Sequence, residues 1–207
     1  MTTPFKICGI TTAEGIDAAV ATGANWVGFN FFPASPRYVT PQQAAILAGR
    51  AGVLGKVGLF VKPTDAEIAD TLTAVPLDVL QIYADTARVA EIRARFARPV
   101  WHAVGVAAAS DLPRAPARVD GFIIEAKPPS GATRPGGNAV TFDWSILAGW
   151  RPPAPWLLAG GLTPDNVAAA IRATAAPAVD VSSGVERQAG IKDPELVAAF
   201  ARAVRAA

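Results

Sequence analysis

The stretch FKICGI, residues Phe5–Ile10, is a short β-type run that holds Cys8, the chain's only cysteine, with Lys6 two residues before it. Side chains alternate along a strand, so Lys6 and Cys8 share one face of this run. A second stretch near the C-terminus, AVDVSSGVE at Ala178–Glu186, repeats the pattern with Asp180 on its polar face. Two such half-polar strands at opposite ends of the chain would be neighbours if the sheet closes into a barrel.

Between these stretches the chain alternates strand-like and helix-like segments. Eight apolar runs are typical of strands, and they begin near Phe5, Trp26, Leu54, Val79, Pro99, Gly121, Pro155 and Ala178. Each is followed by a segment with helical character, including a short helix around Ala108–Arg114 and a brief one from Asp143. Eight such pairs predict an α/β protein with a (β/α)8 TIM barrel, in one domain over residues 1–207. A doubly wound sheet is the competing architecture, but no GxGxxG motif follows an early strand.

Local signals fix two helix starts and one unusual loop. Thr40 can cap a helix that begins with Pro41, and Thr64 can cap another with Glu67 in capping-box position. The connections are otherwise compact, with the exception of the Pro- and Gly-rich stretch Lys127–Phe142. Long loops in compact domains usually carry function or are mobile, so we expect this one to matter for the site.

Composition excludes several classes of protein. With 51% hydrophobic and 17% charged residues the chain is not disordered, and a net charge of +2 gives no reason to expect nucleic acid or an anionic membrane as partner. No apolar run approaches the ~18 residues that cross a bilayer, and the first residues lack a secretory core. We therefore expect a cytoplasmic protein. One cysteine and one histidine exclude an internal disulfide and do not favour a zinc site.

Polar residues recur on one face of otherwise apolar strands. If the Cys8 face points inward, strict alternation places on comparable faces Asn30, Gln81, His102, Glu125 and Asp180. Most lie toward the C-terminal ends of their strands, where the active sites of such barrels lie. We expect the set to surround one cavity, although Gln81 and His102 individually would fit equally well as hydrogen-bonded core groups.

Five motifs occur in an order that a known family shares. They are KICGIT at Lys6–Thr11, GFNFFPASPR at Gly28–Arg37, PGG and FDW within Pro135–Trp144, LAGGLTPDNV at Leu158–Val167, and VDVSSGVE at Val179–Glu186. Together they resemble phosphoribosylanthranilate isomerase. The resemblance implies a cofactor-free Amadori rearrangement in tryptophan biosynthesis, which converts N-(5'-phosphoribosyl)anthranilate to 1-(2-carboxyphenylamino)-1-deoxyribulose 5-phosphate. The implied partner is a phosphorylated small molecule, and the chain leaves open whether the protein is a monomer or a homodimer.

The resemblance also implies a base and an acid. The base that removes the C2' proton is Cys8, and the acid that opens the furanose ring lies at the end of strand 6. The family has aspartate there, whereas this chain has Glu125. The intrinsic pKa of the two acids differs little, about 4.3 against about 3.9. Glutamate's extra methylene moves the carboxyl by roughly 1.5 Å unless it folds back, and a misplacement on that scale can reduce the rate about a hundredfold.

The ionisation of both groups depends on their surroundings. A thiol with a pKa of about 8.5 needs positive charge nearby to act as a thiolate, and Lys6 could supply it unless Asp180 neutralises that lysine. Glu125 must be buried to remain protonated near neutral pH, while Lys127 would act in the opposite direction.

Binding residues follow from the same motifs. Glycine backbones and hydroxyls after strands 7 and 8 match the family's phosphate site, namely Gly160, Gly161, Ser182, Ser183 and Gly184. Arg37 matches the residue that the family uses near the anthranilate carboxylate, and its guanidinium suits bidentate binding; the alternative is a solvated loop arginine. Asp180 could bind a ribose hydroxyl or pair with Lys6. Tyr83 is a further substrate-binding candidate on strand 4.

Three positions depart from the family pattern. They are Glu125, Tyr83 where the family commonly has histidine, and Asn30 where it usually has an apolar residue. All three would face one cavity. The alternative to the isomerase is therefore a divergent paralogue that acts on, or merely binds, another sugar phosphate.

Overall fold

Eight parallel strands close into a barrel in the computed structural model, which describes residues 2–114, 118–131, 134–137 and 140–207. The strands are β1 (Phe5–Cys8), β2 (Trp26–Asn30), β3 (Gly55–Val61), β4 (Val79–Tyr83), β5 (Val100–Val106), β6 (Gly121–Ala126), β7 (Trp156–Leu158) and β8 (Val179–Val181). Each pairs with the next, and β8 pairs back with β1 so that Asp180 lies opposite Lys6. The predicted barrel and the predicted contact between its first and last strands are confirmed.

Six α-helices surround the barrel in the described part of the chain. They are α1 (Ala13–Ala21), α2 (Pro41–Arg50), α3 (Asp65–Ala74), α4 (Thr86–Phe96), α5 (Val167–Thr174) and α6 (Pro194–Arg205). The Thr40 and Thr64 side chains both accept from the backbone N–H three residues on, and the Gln43 and Glu67 side chains accept in return from the cap N–H groups. Among the described residues no helix has the length and apolarity to cross a membrane.

The two short helices predicted after β5 and β6 form as 3₁₀ turns and not as α-helices. After β5 the chain forms only a 3₁₀ turn at Ala109–Asp111, and after β6 another at Trp144–Leu147. In the first, the Asp111 carboxylate accepts from the N–H groups of Ala107 and Ala108, and Pro113 follows without an N–H of its own. In the second, Gly149 adopts a φ of +72°, and two prolines follow it shortly afterwards. Both turns therefore end before an α-helix can form.

The barrel interior and the layer between barrel and helices form separate cores. Inside the barrel lie Val57, Val79, Trp101, Ala103, Ile123, Leu157, Ala159 and Ala178. Because Trp101 and Ala103 face inward, His102 between them faces the helical layer, where its Nε2 is hydrogen-bonded to the carbonyl oxygen of Ala84 at 2.9 Å. The placement of His102 with the polar cavity residues is therefore wrong. Its alternative, a hydrogen-bonded core group, describes this side chain, and burial lowers its pKa.

A small hairpin separates β8 from α6. After a 3₁₀ turn at Ser183–Val185, β9 (Glu186–Gln188) pairs antiparallel with β10 (Ile191–Lys192). The hairpin lies against the loop after β2: a Cβ at Gly190 would stand 2.4 Å from the carbonyl oxygen of Pro36, and Gly190 has a φ of +85°. Glycine is required there on both counts. The hairpin thereby places side chains of β9 and β10 beside Arg37.

Candidate active site

A cavity lies at the C-terminal ends of the barrel strands, with the segment 134–137 on its rim. The predicted site residues that line it are Cys8, Arg37, Tyr83, Glu125, Gly160, Gly161, Asp180, Ser182 and Ser183. Gly184 does not line it. Its backbone packs on the loop after β7, where an added Cβ would stand 1.9 Å from the carbonyl oxygen of Leu162. Asn30 and Gln81 also face the cavity, as the alternation of β2 and β4 predicts.

Cys8 lies at the floor of the cavity. Its thiol is buried against Gly28, where an added Cβ would stand 2.8 Å from Sγ. Burial raises the pKa of the thiol above its ordinary 9.0, and the charge of Asp180 adds to this, while Lys6 acts in the opposite direction. Lys6 does not overcome burial because its ammonium is paired with Asp180 Oδ1 at 2.9 Å. Of the two roles considered for Asp180, the structure shows the pairing with Lys6.

Glu125 enters the cavity from the end of β6. Burial raises the pKa of its carboxyl to about 8, with a contribution from Asp180, against the lowering effects of Tyr83, Lys6 and the backbone N–H of Gly137. Its Oε1 is buried and has no hydrogen-bond partner among the described residues. Lys127, in contrast, is exposed. The carboxyl is thus protonated at neutral pH and presents one uncommitted oxygen.

The segment 134–137 closes over this carboxyl and over Tyr83. A Cβ at Gly136 would stand 2.7 Å from both carboxyl oxygens of Glu125 and 2.7 Å from the Tyr83 hydroxyl. That hydroxyl also accepts from Gln81 Nε2 at 3.3 Å. Burial raises the pKa of Tyr83 well above its ordinary value, so the phenol stays a neutral donor. Part of the long loop predicted to carry function therefore forms one wall of the site.

Two glycines after β7 form a tight turn that lines the cavity beside the end of β6. Gly160 has a φ of +83° and Gly161 a φ of +63°, and an added Cβ at either would stand 2.7 Å from a backbone nitrogen. Opposite them, the Ser182 hydroxyl donates to the carbonyl oxygen of Cys8 at 3.0 Å. The Ser182 hydroxyl is therefore hydrogen-bonded to the backbone in this structure. Donors for an anion come from Ser183 and from backbone N–H groups of these loops.

Arg37 is buried and held by Glu186, which excludes the alternative of a solvated loop arginine. Its Nε donates to Glu186 Oε1 at 2.7 Å and its Nη2 to Oε2 at 2.8 Å, while Nη1 lies 3.5 Å from the carbonyl oxygen of Gly137. Glu186 thus takes the side of the guanidinium that carries Nε. The edge formed by Nη1 and Nη2 faces Gly137 at the cavity rim.

Lys192 completes this cluster, and sequence reasoning missed both it and Glu186. Its ammonium is fully buried and donates to Glu186 Oε1 at 2.7 Å. Glu186 ends the motif VDVSSGVE, and its place in that motif is the signal in the sequence that points to it. Lys192 has no comparable signal, because its burial depends on the β9–β10 hairpin, which carries no strong turn motif in the sequence.

Comparison with known proteins adds to this geometry. The sequence model of a family described as "N-(5'phosphoribosyl)anthranilate (PRA) isomerase" matches residues 5–203. The chain belongs to the phosphoribosylanthranilate isomerase family. A curated N-(5'-phosphoribosyl)anthranilate isomerase from Acidiphilium cryptum is 56% identical over 202 residues, which cover 98% of each chain. The one from Granulibacter bethesdensis is 53% identical over 207 residues, which cover 99% of each chain.

Solved structures of phosphoribosylanthranilate isomerases share the fold. The enzyme from Thermotoga maritima superposes with a TM-score of 0.84 at 32% identity, over 99% of this chain and 100% of that one. A phosphoribosylanthranilate isomerase in complex with reduced 1-(o-carboxyphenylamino)-1-deoxyribulose 5-phosphate matches with a TM-score of 0.83 at 33% identity, with the same coverage. The predicted activity is therefore confirmed: the protein isomerises N-(5'-phosphoribosyl)anthranilate, a phosphorylated small molecule, in tryptophan biosynthesis.

Proposed function

We propose that Glu125 is the general acid and Cys8 the general base of this isomerisation, an Amadori rearrangement. The observation that carries the proposal is the uncommitted, protonated carboxyl of Glu125 in the same cavity as the thiol. Glu125 stands where the family has aspartate, and its side chain lines the cavity at the end of β6. Its extra methylene is accommodated beneath Gly136 and beside Tyr83, which hold the carboxyl in place.

The reaction proceeds by successive proton transfers, of which Glu125 and Cys8 carry out the first two. Glu125 gives its proton to the furanose ring oxygen as the bond between that oxygen and C1' breaks, and the nitrogen lone pair forms a C1'=N iminium. The thiolate of Cys8 then takes the proton from C2', and the electrons of that C–H bond form a C1'=C2' double bond while the iminium becomes an amine. This enol takes up a proton at C1' and loses the one on the C2' hydroxyl, which gives the ketose.

The rest of the cavity orients the substrate in this proposal. The phosphate lies between the turn at Gly160 and Gly161 and the start of the 3₁₀ turn at Ser183, where backbone N–H groups face it. The anthranilate carboxylate meets the Nη1–Nη2 edge of Arg37. Asp180, held by Lys6, accepts from a ribose hydroxyl, and the Tyr83 hydroxyl contacts the sugar near the reacting carbons.

The test follows loss of the substrate's anthranilate fluorescence by purified protein. Cys8→Ala and Glu125→Gln should each reduce kcat by at least about a hundredfold, because each removes one proton-transfer group. Glu91→Gln changes an exposed carboxyl on α4 in the same way and should leave kcat unchanged. If Glu125→Gln has the same kcat as the wild-type protein, the general acid is another group.

We also propose that residues 1–207 act as one domain in the cytoplasm, as a monomer or homodimer. The pairing of β1 with β8 supports one domain, because the barrel closes only when both ends of the chain are present. The free, buried Cys8 is compatible with a reducing compartment. Sedimentation velocity of the purified protein would measure the oligomeric state, and a single calorimetric unfolding transition is expected for one domain.

A further inference from the structure

A buried cluster beneath the rim of the active site holds two cations and one carboxylate. Glu186 lies between Arg37 and Lys192: its Oε1 accepts from both, and its Oε2 accepts from Arg37. The exposed fraction of Arg37 is 4% and that of Lys192 is 0%, so water does not balance the charges. The neighbouring pair of Lys6 and Asp180 is neutral overall. The cluster therefore carries one uncompensated positive charge in a region from which water is largely excluded.

The geometry of Lys192 connects two parts of the substrate site. Its Nζ donates to Glu186 Oε1 at 2.7 Å and to the carbonyl oxygen of Ser182 at 3.0 Å, and it lies 3.5 Å from Ser182 Oγ. Ser182 in turn donates to the backbone of Cys8. One ammonium thus ties the carboxylate that orients Arg37 to the loop after β8, which forms part of the phosphate site. Neither Lys192 nor Glu186 lines the cavity itself.

We propose that Glu186 and Lys192 are positioning residues that fix Arg37 for the substrate's carboxylate, and that the excess positive charge of their cluster makes the site select ligands bearing that carboxylate. The inference rests on the proposed function, which places the anthranilate carboxylate at Arg37. It extends that proposal by assigning selectivity to two residues that do not touch the substrate.

Two physical effects favour a ligand that brings a carboxylate to Arg37. A long arginine side chain adopts many rotamers, and a fixed bidentate partner on its Nε side removes that freedom before the ligand arrives. A buried cation without an anion is unfavourable, so a ligand carboxylate that completes the second pair gains more than it would in water. The pKa of Lys192 is consistent with the excess charge: burial and Arg37 lower it to about 8, although Glu186 and the Cys8 thiol act in the opposite direction.

The experiment measures a preference between two ligands by calorimetry. The first is reduced 1-(o-carboxyphenylamino)-1-deoxyribulose 5-phosphate, and the second is the same molecule without the carboxyl group. Wild-type protein should bind the first at least about tenfold more tightly, as expected for a charge-assisted hydrogen-bonded pair. In Lys192→Met, which removes the excess charge, that preference should fall by about tenfold, while the Kd of the second ligand changes by less than about threefold.

Arg187→Met is the matched control. Arg187 lies on the same hairpin, but it is half-exposed and pairs with Glu14 at the surface, so its loss should leave the preference unchanged. Lys192→Gln removes the same charge with a polar side chain and provides a second test should Lys192→Met fail to fold. Equal weakening of both ligands in the variants would show a merely structural role and overturn the inference. A wild-type protein without preference for the carboxyl would instead overturn the placement of the carboxylate at Arg37.

Discussion

At the scale of single residues, burial raises the pKa of both Glu125 and Cys8. The higher pKa keeps the acid in its working, protonated form but keeps the base out of its working, thiolate form. Glu125 keeps its proton up to a pH of about 8, so the acid is in its working form at neutral pH. The thiol of Cys8 also keeps its proton, because burial raises its pKa above 9.0 despite the nearby Lys6. The form with a neutral carboxyl and a thiolate is therefore a minor one in the free enzyme. The two groups share a cavity, so their titrations are those of a coupled pair.

This protonation pattern predicts an alkaline optimum for kcat/KM. Below a pH of about 8 the active form grows about tenfold per pH unit, since the thiolate fraction rises while Glu125 remains protonated. Between the two pKa values the ionisation of Glu125 offsets this gain, and above the pKa of Cys8 the rate falls. A fluorescence-based pH–rate profile of the wild-type enzyme measures this shape. An optimum at pH 7 or below would show that Cys8 does not titrate in this way.

Glu125 should also make the stability of the protein depend on pH. Its pKa is about 8 in the folded protein against an ordinary 4.5, so the folded state binds more protons between these values. The free energy of unfolding therefore falls as pH rises through this window, by up to about 1.4 kcal/mol per pH unit. The stabilisation that protonated Glu125 contributes at low pH is lost above a pH of about 8. Glu125→Gln lacks this group and should gain stability over wild type between pH 5 and pH 8.

Urea unfolding at the two pH values measures that gain. Glu91→Gln removes an exposed carboxyl on α4, so its stability relative to wild type should be the same at pH 5 and pH 8. A stability difference between Glu125→Gln and wild type that does not change with pH would mean that the folded protein holds Glu125 with an ordinary pKa.

At the scale of elements, the segment 134–137 closes the site through a glycine without a side chain. An added Cβ at Gly136 would collide with the Glu125 carboxyl and the Tyr83 hydroxyl, each at 2.7 Å. Gly136 does not have a positive φ, so alanine strains no backbone there. Gly136→Ala should therefore reduce kcat by about tenfold or more, because it displaces the acid, and change the unfolding free energy by less than about 1 kcal/mol.

The matched control for this substitution is Gly49→Ala on α2, where an added Cβ meets nothing within 4 Å. Alanine favours a helix over glycine, so this variant should be slightly more stable than wild type and fully active. Unchanged kcat in Gly136→Ala would show that the segment moves aside freely and does not position Glu125.

Short-range sequence signals predict some helices and strand faces of this protein correctly and others incorrectly. Thr40 and Thr64 carry their capping partners within three residues, so the sequence alone located both helix starts. The segments after β5 and β6 contain helix-compatible residues, but nearby proline and glycine limit each to a single turn. Alternation along β5 gives His102 the wrong face unless one inward residue of the strand is known, and the inward position of Trp101 supplies it.

At the scale of the whole molecule, closure of the barrel makes the site residues at the ends of strands predictable from the sequence. Residues at the ends of strands converge whatever the details of the loops, so the cavity positions of Cys8, Glu125 and Asp180 could be predicted from alternation and a resemblance. The pair of Glu186 and Lys192 could not, because it depends on how the β9–β10 hairpin lies against the loop after β2. That contact is set by packing between segments far apart in the chain.

Closure also places a buried ion pair at the seam between β1 and β8, and its loss should destabilise the whole barrel. Lys6 and Asp180 are 0% and 7% exposed and 2.9 Å apart. Lys6→Met leaves Asp180 buried without its partner and should lower the unfolding free energy by about 3 kcal/mol or more. The double variant with Asp180→Leu should recover most of this loss, since two apolar side chains then meet at the seam.

The matched control is the other strand lysine paired with an aspartate, Lys56, which lies 3.2 Å from the half-exposed Asp78. Solvent screens that pair, so Lys56→Met should lower the unfolding free energy by no more than about 1 kcal/mol. Urea unfolding of the three variants and wild type at pH 7 makes the comparison. Equal losses of unfolding free energy in Lys6→Met and Lys56→Met would mean that the structure between β1 and β8 relaxes around the unpaired Asp180 carboxyl. The barrel would then be closed by the backbone hydrogen bonds between β1 and β8 and not by the ion pair.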